Sequence, residues 1–566
     1  MIGIVETHKQ KILYGMVAVL LMAQAALGIY LAKTDSQTTD EAIHLSAGYT
    51  YDKYHDFRLN PEHPPLVKML SAWPLLYQNV HDPVDPSNWQ NAQSFFRGNY
   101  EASSAYGSAF LYGSGNDAKT LLFYGRLANI GLTLVLGLTL FLIAFSLWGA
   151  VAGLVATLLY VLDPTVMAHG HLVTTDMGAA LGLVMVMAAL WNLLTKKITW
   201  KTAVLFGLAV GLAELMKFTM ITVYPMTILL VLWWGLLREW TKKQWAHTLA
   251  ALGLALMMAW VVVIAGYLFQ LDSPPASQSL LDSLAKADPT SIIPPLPLVD
   301  ALYAHLSPIL VPKYFIRGLV DVLVHVKKGH GSFLFGHTSY IGWWYYFPAI
   351  FMVKTPIPTL ITFCMSLFYI IKQRRHKASL AAIFFSLGAL LYLLFSMTSK
   401  ANLGVRHILP IYPLLTLTAS YAIVTTWPKL KNLWVTLCAI LAIEFVLVCP
   451  FYLAYFNQLV GGPYHGYTVA TDSNLDWGED MGRIATYIQK HPAIGIPYVA
   501  YNWDGEVALD YYHINRRSLT TINQNRTGYI IIGASQLQGT EYTWVKQYTL
   551  VDFVTPGVLV YRLGAP

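Results

Sequence analysis

Charged residues are scarce in this sequence. Asp, Glu, Lys and Arg make up 12% of its 566 residues, against about 25% in ordinary soluble domains, while hydrophobic residues make up 55%. The hydrophobic residues form long runs separated by short basic stretches. This pattern excludes a soluble protein and is typical of a chain that crosses a membrane many times. The net charge of +7 fits the cytoplasmic loops of such a protein, so we expect membrane lipids and no nucleic acid among its partners.

Cysteines are few, and nucleotide-binding motifs are missing. The three cysteines, Cys364, Cys438 and Cys449, all lie in apolar runs and form no Cys-x-x-Cys pair. Neither a disulfide framework nor a cysteine metal site is therefore predicted. The sequence also lacks a glycine-rich loop that could cradle the phosphates of a nucleotide, so no nucleotide cofactor is expected.

Eleven apolar runs have the length and composition of membrane-spanning helices. When the N-terminus is placed in the cytoplasm, every clearly basic short loop falls on the cytoplasmic side, as the positive-inside rule requires. The first run could instead be a signal peptide, but its length of about 20 residues favours a retained helix. We therefore predict an all-α polytopic membrane domain over residues 1–455, with spans near 12–31, 121–147, 150–168, 175–195, 202–217, 219–237, 246–270, 344–371, 378–397, 407–427 and 432–455.

Four segments then lie on the outer side of the membrane, namely 33–120, 163–175, 271–343 and everything after about 456. The proline-rich loop 271–343 is expected to contain short helices that lie on the membrane surface and form a lid. Residues 456–566 have the composition of a soluble α/β domain. Its expected elements are a helix over 478–490 and strands over 497–501, 529–533 and 558–562.

Asp40 and Glu41 directly follow the first predicted helix on the outer side. In a helix, neighbouring side chains point about 100° apart, so only one of these carboxylates can face a given cavity. A partly desolvated carboxylate at a membrane surface is suited to take a proton from a hydroxyl group. The alternative interpretation is a solvated acidic cap of a loop helix.

The segment from His63 to Lys68 contains two prolines and predicts the start of an amphipathic helix at the membrane surface. Because prolines lack an amide donor, an anion bound at this helix start would have to contact His63 and Lys68. A plain interfacial anchor is the alternative. Both interpretations remain open at this point.

Asp176 follows His169 and His171 at an outer turn. Its carboxylate could contact a substrate, or it could cap the helix that begins there. The two histidines next to the aspartate could also bind a metal ion, but no further strong ligand is visible nearby in the sequence. We expect no metal at this turn.

Several basic residues lie near the outer ends of predicted spans, where a cation needs an anionic partner. That partner could be a lipid phosphate or an acidic side chain such as Asp176 or Glu214. For the set as a whole we favour a phosphate. The residues are Arg126, Lys217, Lys354, Arg406 and the adjacent His407.

Two further motifs lie in the C-terminal region. The acidic run Asp472–Asp480 lacks the spacing of a calcium-binding loop, so it is interpreted as the capped start of a helix. Asn525-Arg526-Thr527 has the form of a glycosylation site.

In this order along the chain, the motifs resemble those of the protein O-mannosyltransferases and the lipid A aminoarabinose transferases, which are multi-spanning glycosyltransferases of the GT-C type. The resemblance covers roughly residues 10–455 and includes the segments 331–334, 342–348, 354–356 and 402–407. The loop 271–343 does not resemble the β-trefoil of the mannosyltransferases. The C-terminal domain is closer to bacterial members, so we expect a bacterial plasma membrane protein with its site and C-terminal domain outside the cytoplasm.

The resemblance implies an inverting transfer of a sugar from a polyprenyl-phosphate carrier to a hydroxyl group of a protein, glycan or lipid. It implies Asp40 as general base, Glu41 as its support and Asp176 as an orienting residue, with no cofactor besides the lipid-linked donor. The implied contacts to the donor phosphate are His63, Lys68, Arg126, Lys217, Lys354, Arg406 and His407.

Two alternatives to an enzyme are open. A transporter or flippase of a lipid-linked sugar would be expected to carry charges or broken helices near the membrane midplane and to show internal repeats. In this sequence the charges lie toward outer helix ends and we find no repeat. The second alternative is an inactive membrane subunit whose C-terminal domain carries the function.

Overall fold

The computed structural model describes residues 8–84, 100–270, 312–374, 376–501, 506–519 and 527–564. In these parts the chain is mostly helical up to about residue 448, and a small sheet follows near the C-terminus. The helices are α1 (His8–Thr34), α2 (Thr39–Tyr54), α3 (Pro65–Ala72), α4 (Tyr100–Ser108), α5 (Ala118–Trp148), α6 (Ala150–Val161), α7 (Pro164–His169), α8 (Asp176–Thr195), α9 (Trp200–Met216), α10 (Val223–Leu237), α11 (Lys242–Gly266), α12 (Lys313–Lys328), α13 (Tyr346–Lys354), α14 (Ile357–Lys372), α15 (Lys377–Ser396), α16 (Ile411–Val448), α17 (Met481–Lys490), α18 (Glu506–Tyr511) and α19 (Ala534–Gln538).

Within the described residues, seven helices are long and apolar enough to cross a membrane. The number is eight if α13 and α14, which are bent by 116° at a short break, form one span. The prediction of an integral, all-α membrane protein is confirmed, whereas the predicted count of eleven spans is not. The most enclosed of these spans is α8. In its apolar stretch, 78% of the residues are buried by other parts of the protein, so α8 lies in the middle of the bundle.

The predicted number of spans differs from the number in the structure because of local features of the chain. The predicted span 150–168 is divided, because Asp163 accepts hydrogen bonds from the amides of Thr165 and Val166 and so caps the separate short helix α7. The predicted spans 407–427 and 432–455 correspond to the two parts of α16, which is 38 residues long and has a non-helical backbone between them, at Leu430, just after Pro428. A proline inside a helix removes a backbone hydrogen bond and breaks the helix at such a point.

The segment between α1 and α5 folds against one end of the bundle. Helix α2 packs closely on α3, because Gly48 has no side chain at their contact. A Cβ atom at Gly48 would lie 2.1 Å from the Lys68 carbonyl oxygen. This contact fixes the start of α2, where Asp40 and Glu41 lie, against the membrane domain.

The described part of the long loop 271–343 contains a helix and a hairpin. Three of the basic residues of helix α12, His325, Lys327 and Lys328, lie in its last turn. The antiparallel pair β1 (Ser332–Leu334) and β2 (His337–Ser339) follows and was not predicted. The part of the predicted lid that falls in 271–311 lies outside the described residues.

The C-terminal region is the predicted α/β domain, built on a four-stranded sheet. Its strands are β3 (Tyr498–Ala500), β4 (Gly528–Gly533), β5 (Thr549–Thr555) and β6 (Val558–Leu563), in the order β3-β4-β6-β5. The pair β3–β4 is parallel and the other pairs are antiparallel. Strand β5 was missed. It lies at the sheet edge, its residues before Thr555 are exposed or half-buried, and Asp552 interrupts its apolar residues.

Candidate active site

Two carboxylates and two cations meet at one end of the helical bundle. Nη1 of Arg406 donates a hydrogen bond of 2.5 Å to Asp40 and lies 3.9 Å from Asp176. Lys217 forms an ion pair with Asp176. Asp176 is only 1% exposed, whereas the Asp40 side chain is 15% exposed. Four residues that lie up to 366 positions apart in the sequence therefore form one charged cluster, of which Asp40 is the more accessible acid.

Each residue of this cluster lies at the end of a secondary-structure element. Asp40 is in the first turn of α2, and Asp176 is the first residue of α8. Lys217 follows the last residue of α9 in extended conformation, and Arg406 lies in the single helical turn Val405–Ile408. Helix ends orient such side chains rigidly, because the backbone on one side of each residue is fixed by the helix.

A cavity of about 280 Å³ adjoins the cluster. Most of its wall is apolar and comes from residues such as Phe218, Leu319 and Phe395, including one face of α12. Its polar residues include Glu62, His63, Lys217, His325, Arg406 and His407. An apolar cavity with a few convergent polar groups is the usual form of a ligand site.

The imidazoles beside the two cations are neutral. Burial lowers the pKa of His63, and the neighbouring ring of His44, at 4.8 Å between centroids, lowers it further. Burial also lowers the pKa of His407, to which the charges of Lys217 and Arg406 contribute. His63 and His407 can therefore accept or donate hydrogen bonds to a ligand, but they add no positive charge to the cavity at neutral pH.

Glu41 points away from Asp40 and pairs with Arg126. Both oxygens of Glu41 accept hydrogen bonds from Arg126, at 2.8 and 2.6 Å, and also from the amides of Thr38 and Val173, each at 2.9 Å. Burial raises the pKa of the Glu41 carboxyl, but the Arg126 guanidinium and these hydrogen bonds outweigh it and leave the pKa below its usual value. Glu41 is thus an ionised, fully buried group that fixes the start of α2.

Hydrogen bonding distinguishes the predicted phosphate-binding cations from one another. All five N–H groups of Arg126 are occupied, by the two Glu41 oxygens and by the carbonyls of Ala32, Asp35 and Ser36. Arg406 donates one hydrogen bond, and its Nε has no partner among the described residues. Arg406 therefore has N–H groups available for an incoming anion, and Arg126 has none.

The two other predicted lysines are also engaged away from the cavity. Lys68 donates to the Tyr51 hydroxyl and to the Asn60 carbonyl, each at 2.7 Å, and burial lowers its pKa well below the ordinary value. Lys354 donates to the carbonyls of Leu453 and Asn474 at 2.7 and 2.5 Å. The structure does not bring Lys68, Lys354 or Arg126 to the cavity that Lys217, Arg406, His63 and His407 line.

The histidines before Asp176 have separate surroundings. His171 pairs with Asp35 at 2.9 Å, whereas His169 is buried and its ring centroid lies 6.4 Å from that of Trp477. Asp176 does not cap α8, whose first position outside the helix is Thr175. In the part of the chain that the structure describes, no group of three or more His, Cys, Asp or Glu is arranged to hold a metal ion.

Sequence reasoning missed Trp477, which the structure places beside Arg406. Trp477 lies in the acidic run. Asp480 of that run stands at the N-cap position of α17, but its side chain accepts no hydrogen bond from the amides there and pairs with Arg483 instead. The run is a buried loop, which we call the 472–480 loop. A tryptophan between acidic residues was the available signal, since exposed acidic runs rarely contain one.

The 472–480 loop makes the stability of the protein depend on pH. Burial raises the pKa of the Asp476 carboxyl to about 7, despite a hydrogen bond from the Ser535 amide, and nearby Asp480 raises it further. Between the ordinary pKa of 3.8 and about 7, the folded protein therefore holds a proton that the unfolded chain has lost. The contribution of Asp476 to stability therefore falls as pH rises through this range and levels off above it.

We therefore expect the unfolding temperature of the full-length protein, taken relative to that of its Asp476→Asn variant, to be higher near pH 5 than near pH 8, because the amide of the variant does not titrate. Each pKa unit corresponds to about 1.4 kcal/mol. Thermal unfolding of both proteins across this pH range measures the difference, and equal slopes for the two proteins would show that Asp476 does not titrate in the folded state.

Part of the chain matches a known protein family. Residues 119–263, roughly a quarter of the chain and the part from α5 to α11, match the family described as dolichyl-phosphate-mannose-protein mannosyltransferase. The protein is a membrane glycosyltransferase. The match confirms the resemblance that the motifs indicated and the predicted class of enzyme. No curated protein sequence matches the glycosyltransferase.

Solved structures show distant likenesses. ArnT from Cupriavidus metallidurans, bound to undecaprenyl phosphate, is 13% identical to the glycosyltransferase, with a TM-score of 0.48 and coverage of 97% of this chain and 98% of that one. The oligosaccharyltransferase of Archaeoglobus fulgidus, in its apo form, is 11% identical, with a TM-score of 0.44 and coverage of 94% and 72%.

Proposed function

We propose that the glycosyltransferase transfers a sugar, with inversion, from a polyprenyl-phosphate carrier to a hydroxyl group on the outer side of the membrane. The observation that carries the proposal is the meeting of Asp40, Arg406 and Lys217 beside a largely apolar cavity. The apolar wall suits the first isoprene units of such a carrier, and the cations suit its phosphate. The description of the matching family also names a sugar linked to a polyprenyl phosphate.

Asp40 acts as the general base in this proposal. Its carboxylate takes the proton of the acceptor hydroxyl, whose oxygen attacks the anomeric carbon of the sugar. The bond between that carbon and the phosphate oxygen breaks, and the carrier phosphate leaves with the electron pair. Asp40 suits this role because it is the acid of the cluster that remains partly exposed.

Arg406 and Lys217 stabilise the negative charge that develops on the leaving phosphate. Asp176 holds both cations, as an ion-pair partner of Lys217 and a near neighbour of Arg406. When the donor phosphate enters, it replaces Asp40 as the main partner of Arg406, which frees the carboxylate to accept a proton. The neutral His63 and His407 supply hydrogen bonds, and no metal ion or further cofactor takes part.

The proposed orientation places the N-terminus in the cytoplasm and the charged cluster and the C-terminal domain outside, in a bacterial plasma membrane. The distribution of Lys and Arg over the short loops supports this orientation. The acceptor is a hydroxyl of a protein, a glycan or a lipid.

The experiment that tests the proposal uses the purified full-length protein in detergent and in vesicles. Labelled polyprenyl-phosphate sugars are supplied together with hydroxyl acceptors, and the release of free polyprenyl phosphate is measured. Release that depends on the acceptor supports sugar transfer. Movement of the intact donor across the vesicle membrane without release would instead show a transporter and overturn the proposal.

The Arg406→Gln variant tests the phosphate contact. Removing one preorganised charge at the leaving group is expected to lower transfer by about 10²- to 10³-fold. The fold should persist, because among the described residues the one hydrogen bond of Arg406 goes to a partly exposed partner, and the buried Asp176 keeps Lys217 as its ion-pair partner. The rate of polyprenyl phosphate release measures the effect, and Arg516→Gln, which removes an arginine from ion pairs in the C-terminal domain, is the control. Equal loss in both variants would point to a general loss of folding.

A further inference from the structure

The 472–480 loop holds the backbone on the N-terminal side of Asp40. The carbonyl of Trp477 accepts hydrogen bonds from the amide and the hydroxyl of Thr39, at 3.0 and 3.2 Å. The carbonyl of Glu479 accepts another from the amide of Ser36, at 2.8 Å. The residue next to Asp40 is thus bonded to a loop more than 430 positions away in the chain.

The same loop holds the segment that leads into Arg406. The side chain of Asn474 accepts a hydrogen bond of 2.9 Å from the amide of Val405, and the Ser473 hydroxyl donates one of 2.8 Å to the carbonyl of Leu403. Between these two hydrogen bonds, the backbone of Gly404 lies so close to the loop that a Cβ atom at Gly404 would be 2.5 Å from the Ser473 hydroxyl oxygen. The two halves of the Asp40–Arg406 pair are therefore attached to one piece of chain.

The other side of the loop is fixed to the C-terminal sheet. Asp480 accepts a hydrogen bond of 2.5 Å from the hydroxyl of Thr555 at the end of β5. Asp476 accepts one of 3.1 Å from the amide of Ser535, just after β4. The loop thus connects the sheet of the soluble domain rigidly with the charged cluster of the membrane domain.

The side chain of Trp477 reaches into the cluster itself. The centre of the Arg406 guanidinium lies 4.1 Å from the centroid of the Trp477 ring, and Trp477 is only 2% exposed. A guanidinium stacked on an aromatic ring is attracted by the ring, and the attraction is stronger when water is excluded. Arg406 is therefore held by a ring in addition to the carboxylate of Asp40.

We infer that Trp477 is a positioning residue of the active site, and that through it the C-terminal domain is part of that site. The ring keeps the Arg406 guanidinium in place when the donor phosphate replaces Asp40 as its partner. The inference rests on the proposed function for the identity of that anion. It assigns a role to the C-terminal domain: without the 472–480 loop the membrane domain lacks the surface on which Arg406 is oriented.

The test compares Trp477→Phe with Trp477→Leu in the full-length protein. Phenylalanine keeps an aromatic face for Arg406, whereas leucine keeps an apolar side chain without one. The matched control is Trp544→Leu, which removes a partly buried tryptophan of the same domain. Binding of undecaprenyl phosphate and release of polyprenyl phosphate from a polyprenyl-phosphate sugar are both measured, with thermal unfolding as a check on folding.

We expect Trp477→Leu to weaken undecaprenyl phosphate binding and to lower the turnover rate, each by about tenfold. Trp477→Phe should remain within about threefold of the unchanged protein. Equal binding and turnover in the Leu variant and the unchanged protein would overturn the inference, as would equal losses in the Leu and Phe variants. If the unchanged protein binds the lipid phosphate but transfers no sugar, the proposed function fails, whereas the binding comparison still decides the role of Trp477.

Discussion

Replacing Asp40 with asparagine is expected to lower sugar transfer by about 10²- to 10⁴-fold while leaving the protein folded. The asparagine amide oxygen can still accept the hydrogen bond from Arg406, so the local structure should persist. The amide cannot take a proton from an acceptor hydroxyl, so the chemical step is lost. The release of polyprenyl phosphate, measured at saturating donor, reports this step.

A measurement of donor binding distinguishes the loss of the general base from damage to the binding site. Because the proposed phosphate contacts are Arg406 and Lys217, the Asp40→Asn variant should bind undecaprenyl phosphate at least as well as the unchanged protein. Asp510→Asn is the control, since the Asp510 side chain is 70% exposed and pairs with Arg516 far from the cluster. Transfer by the Asp40→Asn variant at the normal rate would contradict the proposed role and leave the base to be sought elsewhere.

The sequence predicted the membrane domain well because its signals are local. Long apolar runs and the position of basic loops depend only on neighbouring residues, and the main spans follow them closely. The cap at Asp163 is also local, but it divides a run that looks continuous in composition, whereas the break at Leu430 falls between two predicted runs. The number of spans therefore depends on details that hydropathy does not record.

For the site residues, prediction from the sequence was limited in a different way. Arg126 and Arg406 have similar sequence surroundings, each near the outer end of an apolar run, and both were predicted to bind a phosphate. Their partners distinguish them, and three of the partners of Arg126 are backbone carbonyls, of Ala32, Asp35 and Ser36. A backbone carbonyl has no sequence signature. The occupied arginine could be told from the available one only after the chain had folded.

Trp477 illustrates the same limit over a longer distance. Its partner Arg406 lies about 70 positions earlier in the chain, and Thr39 lies at the opposite end. The acidic neighbours of Trp477 favoured a surface helix start, whereas burial in the domain contact explains both the tryptophan and the raised pKa of Asp476. Contacts between distant segments depend on the fold as a whole, so local sequence patterns do not predict them.

Replacing Arg126 with methionine is expected to prevent accumulation of folded protein. The change leaves the fully buried Glu41 carboxylate without its counter-charge and removes five hydrogen bonds. Removing one partner of a buried ion pair costs about 3–5 kcal/mol. That is a large part of the roughly 5–15 kcal/mol that stabilises a typical folded protein. The yield of monodisperse protein and its unfolding temperature measure the effect.

A double variant shows whether the buried charge causes the loss. In Arg126→Met combined with Glu41→Gln, the remaining side chain is neutral and its oxygen can still accept a hydrogen bond from the amide of Thr38 or Val173. Part of the stability should therefore return, since an uncharged amide is cheaper to bury than a carboxylate. If Arg126 instead binds the donor phosphate, Arg126→Met should fold normally and lose lipid-phosphate affinity, as expected for Arg406→Gln. A folded Arg126→Met protein with weakened donor binding would thus show that Arg126 contacts the donor phosphate instead of supporting the structure around the site.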